Sequence, residues 1–502
     1  MSVVVLRVAG EFVQGFVHGL SRQTVSGAIL SIARTITKNF VAMLTSTVAT
    51  RLLALVAVAY LARTLGVERF GQWSFAFTVA NYFGMLVHLG LDVPAARYLV
   101  QKRGQPEQLI RWALPLKLGG ALLGLLGATA AAVLLPGQPR ETRWLIVACY
   151  VPLALAATNL AWVYLWLEKV HRFAASQVIE QALFLAALLA IVHGAEQVVR
   201  VPLAAGLAAC GVAAVSWAWW QRDGHGFRWE WDTHGMRSLL REGIPITLSR
   251  GAVQLYLGCS VLILGLYSGN TQVALYNVGY RIAATLAVLR MTLITSLNPT
   301  FWRLYVESKE QLATLGNAVA RYCACALVPV ATLATVLSDP LVRLIFGAEY
   351  SGGGPVLALL SWWVTITFLT MSGEMILYTA ARQDAILKLG VGSLLTAVAL
   401  NLLWVPRWGA VGAASAMLAT ELVLLPVRFH LARRCAPVAF WQSLAKPCVS
   451  AAVAGAWLWF FRHHILWLHL PVALAIYLAA LRLTGAVTVA ELRQWWRALR
   501  GR

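Results

Sequence analysis

Apolar runs of about 20 residues recur along the whole chain, and short segments between them hold most of the charged positions. A helix of that length crosses a hydrocarbon layer of about 30 Å. With glycine, proline and charge clusters as boundaries, the pattern predicts about 14 membrane-spanning helices. We therefore predict an all-α, polytopic integral membrane protein.

Composition agrees with this prediction, because 60% of the 502 residues are hydrophobic and only 12% are charged. Ordinary soluble domains contain about twice that charged fraction. The formal net charge of +21 would suggest nucleic-acid binding in a soluble chain. Here the basic residues lie between apolar runs instead of in one patch, so nucleic acid is not an expected partner.

The positions of Lys and Arg predict the orientation. If the N-terminus is cytoplasmic, most of the 41 Lys and Arg residues fall in cytoplasmic segments, including a segment from Arg428 to Lys446. An excess of positive charge on short cytoplasmic loops is the usual orientation signal. Both termini are then expected in the cytoplasm, with the protein in a bacterial inner membrane surrounded by membrane lipids.

Hydropathy also divides the chain into six segments. They are a cytoplasmic interfacial lead-in, an N-lobe of spans 1 to 6, a cytoplasmic linker, a C-lobe of spans 7 to 12, two further spans and a basic cytoplasmic tail: 1–38, 39–220, 221–242, 243–430, 431–485 and 486–502. The acidic and histidine residues of the linker match no metal-ligand spacing. No metal, cofactor or extramembrane catalytic domain is predicted, so the protein is not expected to be an enzyme.

Two predicted hairpins resemble each other. RTLGVERFGQWSFAFTVANYF joins spans 1 and 2, and GLYSGNTQVALYNVGYRIAATL joins spans 7 and 8. The second helix of each then reaches a proline followed by an arginine, Pro94 with Arg97 and Pro299 with Arg303. Both units begin with a helix that runs outward, which predicts parallel repeats and two stacked bundles around a central cleft.

At these residues the chain resembles the polysaccharide-exporter branch of the MOP superfamily, the Wzx-type lipid-linked oligosaccharide flippases. The matching blocks are LARTLGVERFGQWSFAF, HLGLDVPAARYL, GIPITLSR, ALYNVGYRIA, RLIFGAEYSGGGPVLALLSW and NLLWVPRWGAVGAASAMLATE. The resemblance implies two lobes, alternating access of a central cationic cavity, and transport of an undecaprenyl-diphosphate-type oligosaccharide to the outer leaflet for surface polysaccharide synthesis.

Four arginines within predicted spans are candidate substrate-binding residues: Arg51, Arg250, Arg281 and Arg290. An intramembrane charge normally faces protein or a wet cavity, and a guanidinium donates paired hydrogen bonds to phosphate oxygens. Arg51 and Arg250 occupy similar points of the two repeats, so they are predicted to clasp one head group. The alternative is that each is satisfied by carbonyl groups or a buried acid. Lys117 is expected to snorkel to the cytoplasmic face.

Arg281 and Arg290 are nine residues apart, which places them on opposite faces of a straight helix. Arg281, within the VGYRIA block, is the preferred cavity residue of the two.

Three acids within spans, Glu180, Glu374 and Glu421, are candidates for coupling transport to H⁺ or Na⁺. A carboxylate that binds and releases a cation changes the free energy of each conformation. Glu421 is the first choice because it lies deepest in its span. A structural salt bridge to an arginine is an equally good interpretation.

Two other functions are weighed. A membrane glycosyltransferase or polysaccharide polymerase would need a sizeable outer loop, and the predicted outer loops are all short. A drug exporter of the same superfamily would handle cations, for which a cleft lined by arginines has the wrong charge.

Overall fold

The computed structural model describes residues 27–101, 105–227, 231–461 and 466–485. These residues form 14 α-helices joined by short turns, with no strand in the described ranges. The helices are α1 (Gly27–His88), α2 (Asp92–Gln101), α3 (Pro106–Leu134), α4 (Arg140–Leu155), α5 (Ala161–Trp166), α6 (Val170–Ile191), α7 (Arg200–Arg222), α8 (Thr233–Tyr267), α9 (Gly269–Glu307), α10 (Lys309–Phe346), α11 (Gly354–Thr379), α12 (Gln383–Arg433), α13 (Phe440–Phe460) and α14 (Leu466–Leu483). The first 26 residues of the predicted lead-in and the predicted tail 486–502 lie outside the described residues.

Nine helices of the described part are long and apolar enough to cross a membrane. Two of them, α1 with 62 residues and α12 with 51, are about 90 Å and 75 Å long and so exceed two membrane thicknesses. Each bends at a glycine, Gly66 with φ of 72° and Gly409 with φ of 54°. Only glycine adopts this backbone without strain, so each long helix supplies two spans. With α4–α5, α13 and α14, this matches the predicted all-α polytopic fold.

The junction between α8 and α9 corresponds to the Gly66 bend. Gly269 begins α9 with φ of 80°, and the two helices on either side form a hairpin as the two limbs of α1 do. Each junction thus uses a glycine in the left-handed region to reverse the chain.

Helices α1–α7 form one set and α8–α12 a second, which we call the first set and the second set. In the first set, α1 packs against α3, α4 and α6. In the second, α11 is the central helix, in contact with α9, α10 and α12 and buried over most of its length. Its sequence is apolar on all faces, as expected for a helix with neighbours on every side. Helices α13 and α14 attach through α10, where the Tyr477 hydroxyl donates to the carbonyl of Cys325 at 2.8 Å.

The two sets contact each other at both ends of the bundle. At the end that holds the α1 bend, which we call the Gly66 end, the Tyr350 hydroxyl donates to the Ala62 carbonyl at 2.8 Å, and a methyl group added at Gly71 would lie 1.8 Å from the Asn270 carbonyl oxygen. At the opposite end, which we call the Asp92 end, Asp92 pairs with Arg250.

Between these ends, the second limb of α1 packs along α8 through a row of glycines. Gly251, Gly258 and Gly265 are seven residues apart, so they repeat on one face of α8. They receive the side chains of Met85, Tyr82 and Phe75, and an added methyl group would lie 2.1–2.7 Å from each. Small residues allow helix axes to approach closely in a membrane, and this row brings the two sets into direct contact.

Candidate functional site

Arg51 and Arg281 lie at similar depths on helices of different sets. Arg51 precedes the Gly66 bend by about 22 Å along α1, and Arg281 is about 18 Å from the start of α9 at the same end. The Arg281 guanidinium lies over the Trp73 ring at 5.8 Å. It is also close enough to Arg51 for the two charges to act on each other. Two cations, one from each set, therefore lie within electrostatic range of each other, at similar distances from the Gly66 end.

Within the described residues, neither Arg51 nor Arg281 has a carboxylate partner. Arg51 is exposed on α1, and Arg281 is partly buried beside Trp73. A cation at the bilayer centre costs several kcal/mol unless it faces protein, water or a counter-ion. This pair has the charge, the depth and the planar donors to receive an anionic group from a ligand.

Arg250 is engaged with another partner. Its two terminal nitrogens donate to the two carboxylate oxygens of Asp92 at 2.9 and 2.8 Å. The structure thus puts Arg281, not Arg250, beside Arg51, and the predicted Arg51–Arg250 clasp is not the arrangement seen. Equivalent positions in two repeats do not fix which side chains meet, because α8 runs along the second limb of α1 and carries Arg250 to the Asp92 end.

Arg290 is held within the second set. Its Nε donates to the Thr367 carbonyl at 2.9 Å, and its terminal nitrogen pairs with Glu374 of α11. Arg290 and Arg281 contact α11 and α1 respectively, in line with opposite faces of α9. Carbonyl and carboxylate partners satisfy Arg290, which is the alternative that the sequence left open.

Arg428 is a buried residue that sequence reasoning missed. It was counted among the charges of a cytoplasmic segment, but α12 continues to Arg433 and Arg428 is only 7% exposed. Arg428 pairs with Glu421, which is 3% exposed, and lies 3.7 Å from Glu374. A usable signal was present, since Arg428 follows Glu421 by seven residues and lies on the same face of a helix.

These contacts form an alternating charge network in the second set, Arg290–Glu374–Arg428–Glu421. Tyr256 of α8 donates to Glu421 at 2.9 Å, which completes the chain of contacts. The network joins α8, α9, α11 and α12. Two of the predicted coupling acids, Glu374 and Glu421, therefore serve as counter-ions to arginines in this conformation.

The third predicted coupling acid, Glu180, differs from the other two. It is exposed on α6 and has no ion pair or hydrogen bond to any described residue. Because an unpaired carboxylate within a membrane-spanning helix is costly unless it meets water or a cation, this position is available to a mobile cation.

Lys117 does not snorkel as predicted. It is 6% exposed, and its ammonium lies over the Trp162 ring at 4.3 Å. Trp162 belongs to the short helix α5, so α5 supplies the contact that holds Lys117 inside the bundle. Sequence could not reveal this because α4 breaks at residues 156–160 before α5 begins.

The linker between α7 and α8 is shorter than predicted, since α7 ends at Arg222 and α8 begins at Thr233. Asp223 accepts hydrogen bonds from Lys169 at 2.7 Å and Arg172 at 2.6 Å. Burial raises the pKa of Asp223, but the hydrogen bonds from Arg172 and Lys169 outweigh it and leave that pKa below its ordinary value. Asp232 caps α8 through the Gly235 amide at 3.1 Å. Within the described residues, no group of three or more acids, histidines or cysteines could hold a metal ion.

Comparison with known sequences places this geometry in context. The family described as "Polysaccharide biosynthesis protein" matches residues 36–305, more than half of the chain. A protein of Escherichia coli (strain K12) named "Putative O-antigen transporter" is 22% identical over 391 residues, which cover 76% of this chain and 93% of that protein.

Solved structures share the fold at low sequence identity. "Lipid II flippase MurJ, inward closed conformation" superposes with a TM-score of 0.66 at 11% identity, over 87% of this chain and 97% of that one. An inward-facing multidrug resistance MATE transporter of the MOP superfamily gives 0.59 at 15% identity, over 79% and 98%. A MOP superfamily transporter from Pyrococcus furiosus gives 0.54 at 18% identity, over 79% and 95%. These similarities show the MOP transporter fold.

Proposed function

Because the chain belongs to the polysaccharide biosynthesis protein family, we propose that it flips a lipid-diphosphate-linked oligosaccharide from the cytoplasmic to the outer leaflet. The observation that carries the proposal is the Arg51 and Arg281 pair, two neighbouring cations at similar depth without a carboxylate partner among the described residues. A diphosphate supplies the missing negative charge, and its oxygens accept paired hydrogen bonds from guanidinium groups. The similarity to a flippase and to an O-antigen transporter supports a cargo of this class.

Contacts at both ends of the bundle support transport by alternating access. The first and second sets act as the two lobes, and the Gly66-end and Asp92-end contacts act as outer and inner closures. The distribution of Lys and Arg supports a cytoplasmic Asp92 end in a bacterial inner membrane. The protein's own residues then bind and release cargo without chemical change, so it is a transporter and not an enzyme.

The second candidate is a multidrug exporter, since MATE transporters share the fold. Drug cargo of that kind is cationic, and two unpaired arginines would repel it. The charge of the site therefore favours an anionic cargo.

Replacing Arg51 or Arg281 by alanine is expected to lower transport roughly tenfold to hundredfold, because each loses charge-assisted hydrogen bonds worth about 1.5–3 kcal/mol. Lysine at either position should restore only part of the activity, since an ammonium cannot donate the paired geometry. The measurement is surface polysaccharide in a complemented flippase-null strain, together with the lipid-linked intermediate that accumulates.

Arg303→Ala is the matched control, because Arg303 is exposed and forms only a 3.9 Å pair with Glu307 within its own helix. Membrane levels of every variant are compared by immunoblot. Normal export by both alanine variants at position 51 and position 281 would reject the phosphate-binding role.

We also propose that transport is coupled to H⁺ or Na⁺ through Glu180. Glu180→Gln is expected to reduce the dependence of transport on an imposed gradient by about fivefold or more, because glutamine neither binds nor releases the ion. Asp384→Asn is the control, since Asp384 is exposed and pairs with Arg382 at 3.3 Å. Proteoliposomes with proton or sodium gradients provide the measurement, and unchanged gradient dependence in Glu180→Gln would remove Glu180 from the mechanism.

A further inference from the structure

A cavity lies at the Asp92 end, between the second limb of α1, the end of α4 and the middle of α8. Its volume is about 210 Å³, and its lining includes Asn81, His88, Leu153, Thr247, Arg250 and Gln254. Pockets for drug-sized ligands begin at about 300 Å³, so this cavity fits a small charged group and not a whole oligosaccharide.

The charges around the cavity do not balance. Arg250 carries a positive charge, Lys117 carries a second one when it is protonated, and Asp92 is the acid that acts on both. The His88 ring lies within electrostatic range of all three. With Lys117 protonated, one carboxylate thus serves two cations, and this corner of the membrane-spanning region has a net positive charge.

Lys117 makes the imbalance costly. It is 6% exposed and its described contact is the Trp162 ring, not a carboxylate. A cation–π contact offsets only part of the cost of removing a buried ammonium from water. A second anion near Asp92 would offset the rest of this desolvation cost.

The cavity wall also holds polar donors that are not used elsewhere. Asn81 of α1 and Gln254 of α8 line the cavity, and neither has a hydrogen bond to another described residue. Amide and guanidinium N–H groups around a positive cavity are the donors that a phosphate needs.

The geometry points to an anion-binding subsite at the Asp92 end, in which the carboxylate of Asp92 occupies the place on Arg250 that a phosphate takes when cargo binds. The two-point carboxylate contact to Arg250 is the same fork that a phosphate accepts. Exchange of Asp92 for a phosphate would break an ion pair between the first and second sets and so open the Asp92 end while the head group is captured.

This inference rests on the proposed function for the identity of the cargo. The subsite itself predicts only a diphosphate group, whether it comes from a lipid head group or from solution.

The test is binding of inorganic pyrophosphate to the purified full-length protein in an uncharged detergent, measured by isothermal titration calorimetry. Asp92→Asn removes the internal competitor and is expected to strengthen pyrophosphate binding roughly tenfold. Lys117→Met should weaken it several-fold, since it removes the charge, together with the cation–π contact to Trp162, and keeps a side chain of similar length. Farnesyl diphosphate is titrated in parallel, and tighter binding than pyrophosphate would identify a lipid head group as the source.

Further variants distinguish capture of a phosphate by Arg250 from simple opening of the Asp92 end. Glu242→Gln breaks the neighbouring Arg97–Glu242 pair, 3.3 Å long, which also joins the two sets at this end. It should leave pyrophosphate affinity unchanged, because it releases no cation into the cavity. In the Asp92→Asn background, Arg250→Ala should abolish the gain, whereas Arg51→Ala should keep it.

Equal affinity in wild type and Asp92→Asn, or a gain that survives Arg250→Ala, would overturn the subsite. A gain that is lost with Arg51→Ala would also overturn it, since binding would then occur at the central pair. Failure of the wild-type protein to complement a flippase-null strain, with the Asp92→Asn gain intact, would reject the proposed function and leave the subsite standing.

Discussion

Gly71→Ala is expected to abolish most transport while the protein remains in the membrane. The added methyl group would lie 1.8 Å from the backbone carbonyl oxygen of Asn270, at the contact between α1 and α9 that closes the Gly66 end. Neither backbone can move without separating the two sets there. Overpacking of this kind costs about 1–3 kcal/mol, enough to shift a two-state equilibrium about tenfold to hundredfold away from the closed Gly66 end. Export in the complemented strain measures the loss.

Hydrogen–deuterium exchange locates the change. Faster exchange is expected in the segments on both sides of the contact, residues 66–72 and 269–275, with no change at the Asp92 end. Gly243→Ala is the counterpart, because its methyl group would lie 2.3 Å from the Leu89 carbonyl oxygen and should loosen the Asp92 end instead. Gly119→Ala is the neutral control, since no atom lies within 4 Å of its added methyl. Normal export by Gly71→Ala would show that closure of the Gly66 end is not part of the transport cycle.

Arg428→Ala is expected to produce the largest loss of stability of any single charge removal in the second set. It would leave the Glu421 carboxylate, 3% exposed, without its cation and would take one counter-ion from Glu374. Breaking a buried pair by removing one partner typically costs about 3–5 kcal/mol. We expect a marked fall in unfolding temperature of the purified protein in detergent and a lower amount in the membrane.

Two further variants identify the cause. Arg428→Met with Glu421→Gln removes both charges, so it should recover much of the stability that Arg428→Ala loses, because no buried charge is then left alone. Arg343→Ala, which breaks an exposed pair with Asp339, should change stability by less than about 1 kcal/mol. An unfolding temperature of Arg428→Ala equal to that of wild type would show that the network does not hold the second set together.

The elements that sequence predicted well are those fixed by local composition. A helix that crosses a membrane must satisfy its own backbone hydrogen bonds and expose apolar side chains, and both requirements can be seen in a window of about 20 residues. The Gly66 turn was predicted for the same reason, since a short polar segment with glycine separates two apolar runs. The departures were at the ends of helices, as at Thr233, where Asp232 supplies an N-cap, and at the break between α4 and α5.

The candidate arginines were found as a set, but their roles were not. Arg51, Arg250, Arg281 and Arg290 all lie in membrane-spanning helices, and composition alone indicated this. The structure gives them three different environments: an unpaired central pair, an ion pair between the two sets and a network within the second set. Arg428 was missed because its predicted span ends at residue 430. An arginine so close to that end was counted with the charges of the cytoplasmic segment.

The sequence by itself determined that this chain is an all-α multi-pass membrane protein with a repeated hairpin, because apolar length and glycine position act over a few turns of helix. Only the tertiary structure decided which charge meets which. Asp92 and Arg250 are 158 positions apart, and the free energy of a guanidinium in a membrane depends on the counter-ion beside it in space, which a window along the chain does not contain.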